Sequence, residues 1–127
     1  MLEKLLKERT EFILNLPKNW DDNDADTFTA ETLERTCQLL KTIFEELWNH
    51  MLDVPFPLIS PLPDGSIDIN WETESFELLI NISSAQNGDL INLYGERMNH
   101  PEDEIDLRIN YEMVAQSIIP WLLKVIS

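Results

Sequence analysis

The chain has 127 residues, 43% of them apolar, and this predicts a single domain over residues 1–127 with one hydrophobic core. Its 24 acidic residues outnumber 9 lysines and arginines, which gives a net charge of -15. Nucleic-acid affinity depends on cationic side chains that displace phosphate counterions, so this charge argues against direct DNA or RNA binding and favours a basic protein partner.

The first part of the chain predicts two helices joined by an acidic loop. Apolar residues recur at spacings of three and four over residues 2–16, and Pro17 ends that helix. A broader apolar stripe predicts a second helix over residues 30–51, with Thr29 as its N-cap. The lone cysteine, Cys37, lies on this stripe and is expected to be a buried structural thiol.

The middle of the chain predicts an antiparallel meander. Prolines impose an extended connector over residues 54–63, and the Asp-Gly pair in 63–66 predicts a turn. An Asn-Gly pair at 87–88 predicts a hairpin, and the polar segment 95–104 predicts a loop. Alternation of apolar and polar residues predicts four strands, over residues 67–71, 76–82, 90–94 and 105–109.

A final helix follows Asn110, which is a candidate N-cap, and Pro120 predicts a kink or break near residue 119. The predicted fold is therefore α+β, in the order α-α-β-β-β-β-α, with helices packed on one face of an antiparallel meander sheet. No apolar run approaches the roughly 20 residues that a membrane-spanning helix needs.

The acidic loop offers the only metal-ligand pattern, and it is weak. Asp22, Asp24 and Asp26 match the first three ligand positions of an EF-hand loop. Thr27 and Leu33 stand where that loop needs a glycine and a bidentate glutamate. These three aspartates are weak metal candidates and would serve a small metal-dependent hydrolase or nuclease.

Catalytic and cofactor signatures are otherwise missing from the sequence. His50 and His100 belong to no zinc-binding spacing, and three glycines cannot form a phosphate-binding loop. We therefore expect a non-catalytic protein without a cofactor.

Aromatic residues and acids are the candidate contacts for a partner. A buried ring supplies affinity at many protein interfaces, while charges around it steer the approach. The candidate interaction residues are Trp20, Trp71, Ile119, Trp121, Glu102, Asp103 and Glu104.

Two segments carry a family resemblance. Leu16-Pro17-Lys18-Asn19-Trp20-Asp21 is followed later by Pro61-Leu62-Pro63-Asp64-Gly65-Ser66-Ile67-Asp68-Ile69-Asn70-Trp71. This resembles small prokaryotic and phage-borne proteins that pair an L-P-x-N-W-D segment with a P-x-P-D-G-x-I-x-x-x-W segment and have no established activity. Such proteins usually continue after the first segment with a glycine and a second aromatic residue, whereas Asp22 and Asn23 follow here. The resemblance implies a prokaryotic or viral cytoplasmic origin.

The leading hypothesis is an acidic interaction module that binds or inhibits a basic partner, as an antitoxin or a defence inhibitor would. The alternatives are the metal-dependent hydrolase or nuclease and an acidic chaperone of the secretion type. A cytoplasmic location fits the single cysteine, and the sequence is compatible with a homodimer.

Overall fold

The computed structural model describes residues 2–14, 30–83 and 90–126. Its elements, in chain order, are helices α1 (Leu2–Leu14) and α2 (Ala30–Asn49), strands β1 (Leu58–Pro61), β2 (Ile67–Glu72), β3 (Phe76–Ile82), β4 (Leu90–Arg97) and β5 (His100–Asn110), a 3-10 turn (Tyr111–Met113) and helix α3 (Val114–Ile126). The strands pair in sequence order, and each pair is antiparallel. The predicted α+β meander is confirmed, with one strand more than expected.

The core lies between the helices and one face of the sheet. The apolar stripe of α2 is fully buried at Leu40, Ile43 and Leu47, as its helical spacing predicts. Aromatic rings join the two layers: Phe44 of α2 lies 6.4 Å from Trp71 of β2. On the other side of the core, Trp121 of α3 packs edge-on against Phe76 of β3, with ring centroids 5.9 Å apart.

The turn predicted at 63–66 and the link between β2 and β3 are both held by side-chain hydrogen bonds to the backbone. A carboxylate oxygen of Asp64 accepts the backbone N–H of Ser66 at 2.9 Å, and Gly65 adopts a φ of 84° that a Cβ would disfavour. In the link between β2 and β3, the Thr73 hydroxyl accepts the backbone N–H groups of Ser75 and Phe76 at 3.2 and 3.0 Å. These short links hold neighbouring strands in register.

The loop predicted over residues 95–104 is wrong. Strand β4 continues to Arg97 and β5 begins at His100. A tight turn suffices because Asn99 takes a φ of 64°, a left-handed conformation that asparagine tolerates. The polar composition misled the prediction because β5 lies at the edge of the described sheet and most of its residues are exposed. The extra strand, β1, arises where Ile59 of the proline-rich connector pairs with Ile69 and is buried.

The final helix also differs from its prediction. It continues through Pro120 without a break, and that proline is exposed, so its ring does not disturb the core. Asn110 precedes the 3-10 turn, but its side chain makes no capping hydrogen bond.

The tryptophans predicted as partner contacts belong to the core where the structure describes them. Trp71 is 2% exposed, and its indole nitrogen donates to the Pro55 carbonyl oxygen at 2.8 Å. Trp121 is also buried, and Ile119 is half-buried against the same core. Both rings stabilise the fold from inside, which leaves other residues to form the surface.

Several predictions fall on residues outside the described ranges. These are Trp20, the aspartates Asp22, Asp24 and Asp26, the N-cap Thr29 and the hairpin at 86–89. None of the three described helices could serve as a transmembrane span.

Candidate interaction surface

The sheet has one face under the helices and one face, the open face, that none of the described helices covers. Residues alternate between the two along β2, β3 and β4, so that Ile80 is fully buried while its neighbour Leu79 is exposed. The charged residues on the open face are Asp68, Glu72, Glu77, Glu96, Glu104, Asp106 and Arg108. Six carboxylates therefore share this face with one guanidinium.

A row of exposed apolar side chains crosses the open face. The strand register aligns Leu58, Asn70, Leu79 and Tyr94 on successive strands from β1 to β4. Leu58 is 62% exposed, and Leu79 and Tyr94 are each 37% exposed. We call Leu58, Leu79 and Tyr94 the apolar row. Leu79 and Tyr94 are on neighbouring strands, which are about 4.8 Å apart, whereas Asn70 on β2 separates Leu58 from Leu79.

A pocket of about 260 Å³ extends the apolar row at its β1 end. Leu58, Phe56 and Trp71 supply its apolar lining, and Asn70 and Glu72 supply polar atoms. An apolar side chain of a partner that enters this pocket would therefore meet a carboxylate at its edge.

A line of glutamates runs beside the apolar row. Glu72 lies opposite Glu77, and Glu77 lies opposite Glu96; we call these three residues the glutamate row. Like charges at directly opposite positions on neighbouring strands destabilise a sheet. The open face therefore carries unfavourable electrostatic energy that a cationic partner would relieve.

The strength of this negative potential is visible at Tyr94. The negative charge of Glu104, followed by a hydrogen bond from the phenol to Glu96, raises the pKa of Tyr94 from 10.0 to about 12. The phenol oxygen donates to a Glu96 carboxylate oxygen at 3.2 Å. An apolar ring thus stands between two carboxylates, and deprotonating it would add a third negative charge.

The other side of the apolar row is polar and internally hydrogen-bonded. The Asn81 amide nitrogen donates to Asp68 at 2.8 Å and to the Ser66 hydroxyl at 3.2 Å. This part of the open face therefore holds an amide and a hydroxyl beside its carboxylate, whereas the glutamate row places three carboxylates next to one another.

Of the three consecutive acids predicted as partner contacts, Glu102, Asp103 and Glu104, one is buried and two are exposed. The side chain of Asp103 points toward α3 and is 4% exposed. Its carboxylate accepts a hydrogen bond from Arg97 at 3.1 Å and another from Lys124. Hydrogen bonds from Lys124 and Arg97 lower the pKa of Asp103. Its backbone oxygen accepts the indole nitrogen of Trp121 at 2.6 Å. Asp103 therefore fastens β5 to α3 and β4.

Glu102 and Glu104, by contrast, are exposed. Glu102 receives a hydrogen bond from its own backbone and one from His100, with the His100 ring nitrogen 3.0 Å from its carboxylate, and both contacts lower its pKa. Glu104 belongs to the open face.

A metal site does not fit the acids that the structure describes. His100, Glu102 and Asp103 hold one donor atom each within 4.8 Å of one another. Both Asp103 oxygens, however, already accept from Arg97 and Lys124. A metal ion would have to displace two cationic side chains, so this cluster makes a poor ligand set. The weak candidates Asp22, Asp24 and Asp26 lie outside the described residues.

The residues of the apolar row were missed as candidates, although the sequence carries a signal for two of them. Leu79 occupies the polar phase of an alternating strand whose other phase is already apolar. An apolar residue in that phase indicates an exposed hydrophobic side chain. Tyr94 gives the same signal in β4, between Asn92 and Glu96.

Comparison of the chain with protein-family models, with curated protein sequences and with solved structures finds no match.

Proposed function

We propose that this protein is a non-catalytic interaction module whose open face binds, and thereby blocks, a basic surface of another protein. The observation that carries the proposal is the apolar row of Leu58, Leu79 and Tyr94 lying directly beside the glutamate row on a face without a described helix. Apolar contact would supply affinity, and the carboxylates would select a cationic partner.

Electrostatics defines the partner more closely. A chain of net charge -15 repels polyanions and attracts positively charged proteins over a distance set by the ionic strength. The partner's surface would carry an apolar side chain that enters the pocket near Leu58, and lysines or arginines that pair with the glutamate row. Such basic surfaces are those that bind nucleic acid, so the module would act as an antitoxin or a defence inhibitor does, by occupying a nucleic-acid site.

A cytoplasmic setting belongs to the same proposal. Cys37, the single cysteine, is partly buried against the core, which suits a thiol kept reduced.

Site-specific photocrosslinking tests where the partner binds. A photoreactive phenylalanine analogue replaces Leu79 on the open face, and a matched variant carries it at exposed Glu45 on α2. In lysate of the source cell, we expect the Leu79 position to capture a protein with a basic surface that the Glu45 position does not capture. Equal capture at both positions, or capture of acidic proteins alone, would contradict the proposal.

The purified pair then tests the electrostatic contribution. Glu77→Lys should weaken binding by about tenfold or more, because it reverses the central charge of the glutamate row. Affinity should also fall as salt is raised, mainly through slower association. Glu112→Lys, at an exposed acid in the 3-10 turn, is the control and should have a smaller effect. Affinity that is indifferent both to salt and to Glu77→Lys would reject this role.

A further inference from the structure

Strand β5 is an edge of the sheet. It runs for 11 residues, and β4 is its only strand neighbour among the residues described. An edge strand presents backbone N–H and C=O groups that a strand from another chain can pair with. The β-bulge between β4 and β5 lies near Gly95 and Arg97, so the stretch from Ile105 to Asn110 keeps a regular register.

The helix side of this edge is incompletely covered. Ile105 and Ile109 are half-buried, and Leu107 between them is 39% exposed. These three apolar residues lie on the same face of β5. Among the described residues, therefore, no strand pairs with the outer side of β5, and its apolar side chains offer surface that a neighbouring strand would cover.

We propose that a second copy of this chain pairs with β5, antiparallel and centred on Leu107, and joins the two five-stranded sheets into one. In this register, Leu107 faces Leu107 of the second copy, and Ile105 faces Ile109 of the second copy. Asp106 then lies opposite Arg108 of the second copy, and two-fold symmetry makes this pair twice.

Asp106 and Arg108 are complementary to each other, so a second copy of β5 supplies matching charges, and these charges also select the register. Centring the pairing on Ile105 places Glu104 opposite Asp106. Centring it on Asp106 or on Arg108 places that residue opposite its own like charge. Of the four registers centred on residues 105 to 108, only the one centred on Leu107 places opposite charges across from each other and no like charges across from each other. Opposite charges stabilise a strand pair, whereas like charges destabilise it. Asp106 lies opposite Tyr94 of the apolar row, but the pairing is argued only from the sheet edge and the charges of β5, so the inference does not depend on the proposed function.

Charge reversal tests the register directly. Sedimentation equilibrium of the wild-type chain at physiological ionic strength should show a dimer. Asp106→Arg alone, or Arg108→Asp alone, places like charges opposite each other twice and should raise the dimer Kd by about tenfold or more. Mixing the two single variants restores two opposite-charge pairs, so the mixture should form a heterodimer. The double variant, Asp106→Arg with Arg108→Asp, should dimerise as the wild type does.

The control is Glu45→Arg, which reverses an exposed charge on α2 and should leave the dimer intact. Circular dichroism of each single variant checks that the monomer is folded; both substituted side chains are exposed in β5. A wild-type chain that stays monomeric at every concentration would overturn the proposal. So would single variants that dimerise as tightly as the wild type, or a mixture of them that stays monomeric.

Discussion

The two faces of the sheet carry cross-strand rows of opposite character in the same register. On the helix side, Ile69, Ile80 and Leu93 lie opposite one another and are almost completely buried. On the open face, the glutamate row occupies the equivalent positions on the same three strands. Cross-strand pairing therefore stabilises the fold in the buried row and costs stability in the glutamate row. The position of a residue in its strand decides to which of these two rows it belongs.

Neighbouring positions on β3 test this contrast most strongly. Ile80→Ala removes a fully buried side chain and should lower the free energy of unfolding by about 2–5 kcal/mol. Leu79→Ala, one residue earlier on the open face, should cost less than about 1 kcal/mol because that side chain is already exposed. Urea unfolding of both variants measures the difference, and equal losses would show that the two faces are not distinct.

Asp103 is a carboxylate on the helix side, and its charge should stabilise the fold, whereas the charges of the glutamate row should destabilise it. Asp103→Asn removes the charge that accepts Arg97 and Lys124 and should destabilise the fold at neutral pH. The pKa of Asp103 is lowered in the folded state, so its contribution is present above the ordinary value of 3.8 and is lost as the pH falls through the lower, folded value. Unfolding measured against pH should show the variant and the wild type converging in acid. A gap that persists there would assign the loss to packing instead.

Tyr94 reports the potential of the open face. A tyrosinate absorbance titration of the wild type, with that of Tyr94→Phe subtracted, should give a pKa of about 12. Glu104→Gln should move it back toward 10.0, because Glu104 is the largest cause of the shift. Since the folded pKa is raised, the stability linked to the neutral phenol is fully present below pH 10 and is lost as the pH rises through about 12. Glu112→Gln is the control. A Tyr94 pKa near 10.0 in the wild type would show that the carboxylates of the open face do not raise it.

The smallest effect concerns the repulsion within the glutamate row. Glu77→Gln removes two like-charge contacts and should raise the free energy of unfolding by about 0.2–1 kcal/mol. The gain should shrink as salt is added, because exposed charges are screened. Chemical unfolding at low and high salt measures it against Glu112→Gln. A loss of stability at low salt would mean that the glutamates support the fold.

Alternation in the sequence predicted most of the sheet because one face is buried. The apolar phase of Ile67, Ile69 and Trp71 is the buried phase, and the same pattern already implied that Trp71 would be inside. The polar segment at 95–104 could not be recognised as strand, because its buried side chain belongs to an aspartate and not to an apolar residue. Asp103 can be buried because Arg97 and Lys124 neutralise its charge, and Lys124 is distant in sequence.

The candidate surface was harder to predict than the fold because it depends on register. Glu72, Glu77 and Glu96 become neighbours only when two hairpins are aligned. The first hairpin follows from the short Thr73 turn, but the second depends on how the link between β3 and β4 closes. Leu79 and Tyr94 could have been identified singly, because each is an apolar residue in the polar phase of its strand.

The order of strands in the sheet has a kinetic consequence. Each strand pairs with the strand next to it in the chain, so the ends to be brought together during folding are near one another, and the entropy cost of closing each loop is small. The sheet can grow by one hairpin at a time, while the contact of Trp121 with Asp103 forms only when α3 packs against β5. Refolding of a chain truncated before Val114 would show whether strand assembly needs that final contact.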